Sequence, residues 1–369
     1  MFLEVDERGR VTRFNDEFEQ FIFKNKNCKV GTFVYELLDL DRTKIKFLQK
    51  LIQLKRQAKS NVFSHKYDVA ENFFWIEWTA LSVQDNLVLI GKDITCIKNF
   101  EYLIKEQNQL LKDRNKNFID SLKYSKRIQT ALLPGKDRLS YFSDAFIIYK
   151  AKDIVSGDFY WFKETADKVF FASIDCTGHG VPGALMTVLA NALLNELIIH
   201  EKKTGVSQIL KEIDLRLKEA LNTLESFIND GFDIALCCID KKSKKMCFSG
   251  AFHNVFIVKS DKKYYYLKGN RRSIGGYYKE EYLFNTHEIV LSKGDRIYLS
   301  SDGFADQFGG AKNKKFGTKR LVEMLKELGD KRMSEQKVFL EDFYSFWKGT
   351  NEQIDDVLFI NNNVYGILH

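Results

Sequence analysis

Hydrophobic and polar positions alternate with the period of a β-strand in four early segments, namely residues 2–5, 11–14, 73–83 and 86–94. The first two segments flank a turn at Arg8-Gly9-Arg10, which is typical of a hairpin, and the last two predict a pair of antiparallel strands. Between these pairs, apolar residues recur at helical spacing over residues 45–55. The pattern indicates a small mixed α/β domain at residues 1–98.

The segment from 97 to 133 contains neither proline nor glycine and predicts one long helix. One of its faces carries Ile104, Leu111, Phe118, Leu122, Ile128 and Leu132. Gln107, Arg114 and Ser121 stand where a second coiled-coil seam would need apolar residues. We expect a coiled-coil-like linker over residues 99–133 that joins two copies of the chain, with a single helix packed on its neighbours as the alternative. Pro134-Gly135 ends this helix.

Residues 134–369 alternate strand pairs with long helices and form the second predicted domain. Antiparallel strands are expected at residues 234–240, 245–249, 255–259 and 264–267. The longest apolar run, residues 181–199, has the length of a membrane span, but Pro182, Asn191 and Glu196 interrupt it. We interpret the run as a buried helix and the whole chain as an α+β protein.

Composition and charge narrow the class of protein. A chain of 369 residues with 44% hydrophobic residues exceeds one ordinary core and predicts globular domains. Six cysteines without a C-x-x-C pair, and charges within the first eight residues, favour a reduced cytoplasmic protein without a signal peptide. The net charge of +7 is concentrated near the long helix, where acids and bases alternate as on a solvated face. We therefore predict neither a nucleic-acid partner nor a membrane.

Aspartates beside glycines or at strand ends recur through the second domain, at Asp158, Asp175, Asp302 and the pair Asp355-Asp356. Each alone is first of all a turn signal. If they converge, each pair would repel by about 1 kcal/mol at 4 Å in water, and by about 4 kcal/mol at an effective dielectric of 20. A cation would have to lie between them, and oxygen ligands of this kind select Mg²⁺ or Mn²⁺.

The order of these segments resembles a known family. Gly157-Asp158-Phe159-Tyr160, then D-x-T-G-H-G-x-P-G-A from Asp175, then Ser301-Asp302-Gly303 and a late Asp-Asp pair are similar to the SpoIIE-like branch of the metal-dependent type 2C protein phosphatases. Residues 128–134, 250–254 and 273–276 match its entry motif, its glycine-rich turn and its L-G segment.

The chain departs from that family's pattern in three places. Phe252 stands between the usual glycine and histidine, Arg271-Arg272 replaces an apolar approach to the glycine pair, and the usual threonine does not follow Asp355-Asp356. No proposed ligand is lost. The departures concern substrate fit more than chemistry.

The resemblance implies an αββα sandwich and a centre of two Mn²⁺ or Mg²⁺ ions. On it, Asp175 bridges the ions, Asp158 and Asp302 bind one each, Asp355 completes the pair, and the carbonyl of Cys176 is a further ligand. Asp356 is the alternative to Asp355. The reaction implied is hydrolysis of phosphoserine or phosphothreonine on a regulatory protein, of the kind represented by anti-sigma-factor antagonists.

Four further side chains are candidates for chemistry around the ions. His179, four residues after the proposed bridging acid, is either the acid that protonates the leaving oxygen or a structural residue of the glycine-rich turn. Lys152, Arg271 and Arg272 are candidate phosphate-binding residues. A catalytically silent scaffold that binds a signalling partner is the alternative function.

The N-terminal domain resembles a PAS sensor, because its last predicted strand ends in Gly91-Lys92-Asp93-Ile94-Thr95 and leads directly into the long helix. The resemblance implies an unidentified signal or ligand. We expect this domain to control the phosphatase domain through the helix.

Overall fold

A computed structural model gives the protein's structure and describes residues 1–23, 29–38, 44–46, 61–69, 72–83, 86–135, 145–222, 230–276 and 282–363. The chain divides into two compact units, Met1–Lys116 and Asn117–His369, and one long helix contributes residues to both. The helix predicted over residues 45–55 falls outside the described residues from position 47 onwards.

The first unit contains one antiparallel sheet. Its elements are β1 (Phe2–Val5), β2 (Val11–Phe14), α1 (Asp16–Phe23), α2 (Val34–Leu37), β3 (Asn61–Val69), β4 (Asn72–Val83) and β5 (Asn86–Asp93). The strands pair in the order β2-β1-β5-β4-β3. Leu3, Val5 and Leu89 alternate with more exposed neighbours and pack around the fully buried Trp78, whose indole N–H donates to the hydroxyl of Tyr67 at 2.9 Å. The predicted hairpin and the long strand pair are both present.

Helix α3 (Thr95–Leu132) begins where a carboxylate oxygen of Asp93 accepts hydrogen bonds from the backbone N–H and the hydroxyl of Thr95, at 2.8 and 2.5 Å. Its 38 residues span about 57 Å at 1.5 Å per residue. Most of its apolar side chains are exposed, and Gln129 is its buried residue.

The second unit is larger and alternates strands with helices. Its elements in chain order are β6 (Ala145–Lys150), β7 (Asp158–Glu164), β8 (Lys168–Cys176), α4 (Val181–Leu194, continued by a π-helix at Asn195–His200), α5 (Val206–Ala220), β9 (Phe232–Asp240), β10 (Lys245–Ala251), β11 (Val255–Val258), β12 (Tyr264–Leu267), β13 (His287–Val290), β14 (Arg296–Ser300), α6 (Gly303–Asp306), β15 (Phe308–Gly309), β16 (Lys314–Lys315), α7 (Thr318–Leu328), α8 (Met333–Lys348) and β17 (Val357–Asn363). Two antiparallel sheets result, ordered β13-β10-β9-β8-β7 and β12-β11-β14-β17-β6, besides the β15-β16 hairpin.

Alternation along the strands produces a four-layer sandwich. On β8, Phe171 faces Ile297 and Leu358 of the other sheet, whereas its neighbour Phe170 faces the layer of α4 and α5. On the far side, residues such as Phe359 pack against α7 and α8. Each buried side chain of this size contributes about 1.5–3 kcal/mol. The predicted α+β class and αββα architecture are confirmed.

The helical run Val181–His200 is the one candidate membrane span among the described residues, by length and composition alone. In the structure its residues Met186, Ala190, Leu194 and Leu197 are buried in the core that it shares with the sheet. The buried helix predicted from the sequence is therefore present at this position.

Candidate metal centre

Three aspartates lie side by side at one end of the sheet β13-β10-β9-β8-β7. Asp158, the first residue of β7, pairs directly with Asp175 of β8, which in turn pairs with Asp233 of β9. Directly opposed residues of an antiparallel sheet share a face, with Cβ atoms about 4.5–5.5 Å apart. The sheet register therefore brings three carboxylates together without any loop.

Two more carboxylates lie next to strands of the other sheet, β12-β11-β14-β17-β6. Asp302 follows β14, and Asp355 lies two residues before β17. Gly303 allows these segments to meet, because a Cβ there would lie 1.9 Å from the carbonyl oxygen of Asp356 and 3.4 Å from the Cβ of Asp355. A side chain at position 303 would force the two segments apart.

Asp356 has a different environment from its neighbour Asp355. Its buried carboxylate accepts the backbone N–H groups of Lys152 and Gly157, at 2.7 and 2.6 Å. Both acceptor oxygens are thus used to hold the loop that precedes Asp158. The carboxylate of Asp355, which is only partly buried, remains the candidate ligand of the pair.

Burial and mutual repulsion raise the pKa values of these acids. Burial, and then the charge of Asp175, raise the pKa of Asp158 well above its usual range, although the hydroxyl of Ser301 donates to its carboxylate at 2.6 Å. Burial and the charges of Asp175 and Asp355 raise the pKa of Asp302 to about 7. Burial also raises the pKa of Asp355. Without a cation, the cluster opposes its own ionisation.

The donors fit hard divalent cations. They are carboxylate oxygens, and the thiol of Cys176 is buried with its pKa raised by that burial, so its carbonyl is the better donor. That carbonyl oxygen would lie 3.1 Å from a Cβ at Gly157, in the loop before Asp158. Among the described residues, no group of three or more acidic, histidine or cysteine side chains is close enough together to hold a metal ion without further ligands. Mg²⁺ characteristically keeps several waters beside one or two carboxylates.

Two histidines occupy different positions around this cluster. Nε2 of the buried His253 lies 3.8 Å from a carboxylate oxygen of Asp175. Burial lowers the pKa of His253, but Asp175, Asp233 and Asp302 together raise it above the ordinary value. His179, predicted as the catalytic acid, is 56% exposed, and its Nδ1 lies 2.7 Å from Asp153. His253 is therefore the histidine beside Asp175, and His179 lies on the exposed side of the carboxylate cluster, paired with Asp153.

The predicted phosphate-binding residues are not equivalent. Lys152 is near the carboxylates, since its charge partly offsets the rise in the pKa of Asp355 that burial causes. Arg271 is exposed. Arg272 is buried, with its guanidinium 4.0 Å from Asp214 and 5.1 Å from the ring centroid of Tyr282. That position favours a structural role for Arg272 over phosphate binding.

Sequence reasoning missed three residues of the centre, namely Asp233, His253 and Ser301. Asp233 had a weak signal, since it stands two residues after Gly231 at the start of a strand, much as Asp158 follows Gly157 at the start of β7. His253 lies inside the matched turn at residues 250–254, which is the signal that points to it. Ser301 accompanies Asp302 in the S-D-G segment, and nothing in the sequence pointed to its bond with Asp158.

Two antiparallel sheets between helical layers, with aspartates from both sheets gathered at one edge, define the class of metal-dependent type 2C protein phosphatases. The family model described as Stage II sporulation protein E (SpoIIE) matches residues 165–361. The chain belongs to the SpoIIE family. The family resemblance seen in the sequence is confirmed.

The chain is also similar to solved structures. The SiaA-PP2C domain of Pseudomonas aeruginosa is 32% identical, covers 68% of this chain and 98% of its own, and superposes with a TM-score of 0.61. The PP2C phosphatase domain of SpoIIE from Bacillus subtilis, with a fragment of its regulatory domain, is 19% identical over 60% of this chain and 63% of its own, with a TM-score of 0.48. Comparison with curated proteins gives no significant match. The PAS resemblance of residues 1–98 lies outside the family match and stays a prediction.

Proposed function

We propose that this protein is a cytoplasmic Mn²⁺- or Mg²⁺-dependent phosphatase that removes phosphate from serine or threonine of a regulatory protein. The observation that carries the proposal is the convergence of Asp158, Asp175 and Asp233 on adjacent strands with Asp302 and Asp355 from the other sheet. Carboxylates that mutually raise their pKa values are arranged for a cation. Membership of the SpoIIE family supports the same conclusion.

The proposed ligand set follows from position. Asp175 is the central acid, since its charge acts on Asp158, Asp302 and Asp355, and it is the candidate bridge between two ions. Asp158, Asp302, Asp355 and the carbonyl of Cys176 would complete the centre. Two such ions would lower the pKa of a shared water and neutralise the phosphoryl oxygens during in-line attack.

The protein's own groups orient the reactants. Nε2 of His253 lies 3.8 Å from the carboxylate of Asp175, where it is proposed to orient that carboxylate electrostatically. Asp153 accepts from Nδ1 of His179, so in the imidazolium form the Nε2–H would donate its proton to the departing serine oxygen in the proposed acid role. Lys152 and Arg271 are proposed to bind phosphate oxygens on the exposed side of the carboxylate cluster.

We also propose that the first unit controls the activity of the second unit. Helix α3 would connect the two units, and it would form the contact between two copies of the chain. Gln129 of α3 bonds to the loop before Asp158, which supports such a route. The partner is proposed to be a phosphorylated regulator such as an anti-sigma-factor antagonist, and the signal for the PAS-like unit is unidentified.

Hydrolysis of p-nitrophenyl phosphate and of a phosphoserine peptide, with and without Mn²⁺, tests this function. We expect metal-dependent turnover that falls by about 10³-fold in Asp175→Asn, because metal stabilisation of the transition state contributes several kcal/mol. Asp167→Asn, in the turn at the opposite end of the β7-β8 pair, is the matched control and should retain activity. Wild-type protein that binds a phosphoprotein but never turns over either substrate would indicate the scaffold instead.

A further inference from the structure

An exposed aromatic side chain occupies a strained backbone position beside the metal centre. Phe252 has φ +54°, in the left-handed region that glycine adopts freely and bulky residues avoid. It lies in the turn where the chain passes from β10 of one sheet to β11 of the other. Its side chain is 44% exposed, so burial of the ring does not fully repay the strain.

The turn around Phe252 is held from several sides. The N–H of His253 donates to the carbonyl of Ala251 at 2.6 Å, and the N–H of Phe252 donates to Asn270 at 2.7 Å. The carbonyl oxygen of His253 is packed so closely that a Cβ at Gly250 or Gly269 would lie 2.4 or 2.3 Å from it. Strain of this kind persists where the surroundings fix the backbone, and it concentrates at functional sites.

Phe252 also lines a cavity of about 250 Å³ that opens beside the carboxylates. Asp233, His253 and Asp302 line the cavity together with Phe252, and the rest of its wall combines apolar side chains such as Phe256 and Leu325 with polar ones such as Thr318. Apolar cavities of about 150 Å³ hold benzene. The space therefore accommodates a leucine or phenylalanine side chain.

We propose that Phe252 and this cavity bind an apolar side chain of the phosphoprotein substrate, within two residues of the phosphoserine. The proposal rests on the proposed phosphatase function and adds a substrate class to it. The cavity is continuous with the metal centre through Asp302 and His253, so a chain whose phosphate lies at the carboxylates reaches it with a neighbouring side chain. The exposed ring of Phe252 then contacts that side chain at the mouth.

Phosphoserine heptapeptides test this assignment. One leucine is placed at each position from two before to two after the phosphoserine in an alanine background, and kcat/KM is compared with the all-alanine peptide. We expect one position to raise kcat/KM about tenfold or more in wild type, as burial of one aliphatic side chain allows. Val322 of α7 also lines the cavity, so tryptophan at this position would fill it. In Phe252→Gly and in Val322→Trp, the ratio of kcat/KM for the leucine peptide to that for the alanine peptide should fall towards one.

Thermal unfolding separates recognition from packing. Phe252→Gly should raise Tm, because glycine relieves the positive φ, while the peptide ratio falls. The matched control is Lys244→Gly, at another residue with positive φ, +58°, in the β9-β10 turn. It should raise Tm and leave the peptide ratio unchanged.

The outcomes distinguish this inference from the function it rests on. Metal-dependent turnover of p-nitrophenyl phosphate with no leucine preference at any position would overturn the inference and leave the phosphatase function intact. A lower Tm in Phe252→Gly with an unchanged peptide ratio would also overturn it, since Phe252 would then be a packing residue. Absence of turnover on every substrate would refute the phosphatase function and the substrate class together.

Discussion

At the scale of single residues, the ionised forms of the acids in the candidate metal centre are unfavourable as long as no cation is bound. Burial raises the pKa values of Asp158, Asp233 and Asp302, and neighbouring carboxylates raise them further. Ordinary aspartates titrate near pH 3.9. The raised values mean that proton and metal ion compete for the same oxygens.

The pH dependence of stability should therefore differ between the metal-free and the metal-bound protein. A raised folded-state pKa contributes stability that is complete below about pH 4 and is lost as pH rises through the folded pKa, which is about 7 for Asp302. We expect the Tm of the metal-free protein to fall between about pH 5 and 8, while the increase in Tm caused by Mn²⁺ grows over the same range. Scanning calorimetry with and without Mn²⁺ measures both.

Asp158→Asn provides the comparison for that experiment, because it removes one of the competing carboxylates but keeps an oxygen towards the hydroxyl of Ser301. The pH slope of the metal-free protein and the Mn²⁺ increment should both shrink in this variant. Identical pH profiles for the two proteins would contradict the competition between proton and metal.

At the scale of elements, the end of α3 is joined to the metal centre through one side chain. The amide of Gln129 donates to the carbonyl of Ser156 at 2.5 Å and accepts its N–H at 3.1 Å, and it also donates to Thr187 of α4 at 3.2 Å. Ser156 lies two residues before Asp158, and its hydroxyl accepts the N–H of Asp158 at 3.1 Å. A displacement of α3 would therefore be transmitted to Asp158, one of the proposed metal ligands.

Gln129→Ala should weaken Mn²⁺ binding and lower kcat. Expressed as free energies, both losses should be larger than the loss in the free energy of unfolding. Loss of this amide leaves backbone groups of Ser156 without their partner, at a cost of about 1–3 kcal/mol, and releases the loop that carries Asp158. Calorimetric Mn²⁺ titration and steady-state kinetics measure the effect. Gln109→Ala is the matched control and should be silent, because that exposed amide bonds to Asp113 of the same helix. Equal Mn²⁺ affinities in the Gln129 variant and wild type would exclude this connection.

At the scale of the whole molecule, α3 contributes to both compact units and displays apolar side chains to solvent. Ile97, Ile104, Leu111 and Phe118 are exposed and spaced by seven residues. Exposed apolar residues at heptad spacing are typical of a helix that pairs with another helix. This pattern supports the proposed homodimer and the proposed role of the first unit in control.

Deletion of residues 1–98 should change phosphatase turnover without abolishing Mn²⁺ dependence, because the deletion retains α3 from position 99 and all of the metal centre. Steady-state kinetics and sedimentation of the full chain and the truncated chain measure turnover and oligomeric state. Unaltered turnover and unaltered oligomeric state would refute control by the first unit.

A double substitution within the full chain separates the helix from the first unit. Ile104→Asp with Leu111→Asp should convert a dimer to a monomer, since two buried charges would face the partner helix. Lys105→Asp with Lys112→Asp, at neighbouring exposed positions, is the control and should remain a dimer.

The sequence by itself determined the family, the α+β class and the presence of antiparallel strands in both parts of the chain. Local patterns carry this information, because side-chain alternation and glycine-flanked acids are properties of contiguous residues. The segments containing Asp158, Asp175 and Asp302 were recognisable for that reason.

Tertiary structure alone decided which polar residues share a site. Asp233 meets Asp175 through the sheet register, Ser301 meets Asp158 across 143 positions, and His253, not His179, contacts the central acid. Contacts of this kind depend on how two sheets stack and align, and a pattern within one segment does not encode them. The same reason applies to the turn at Phe252, where the positive φ accompanies a backbone hydrogen bond to Asn270 from the segment between β12 and β13.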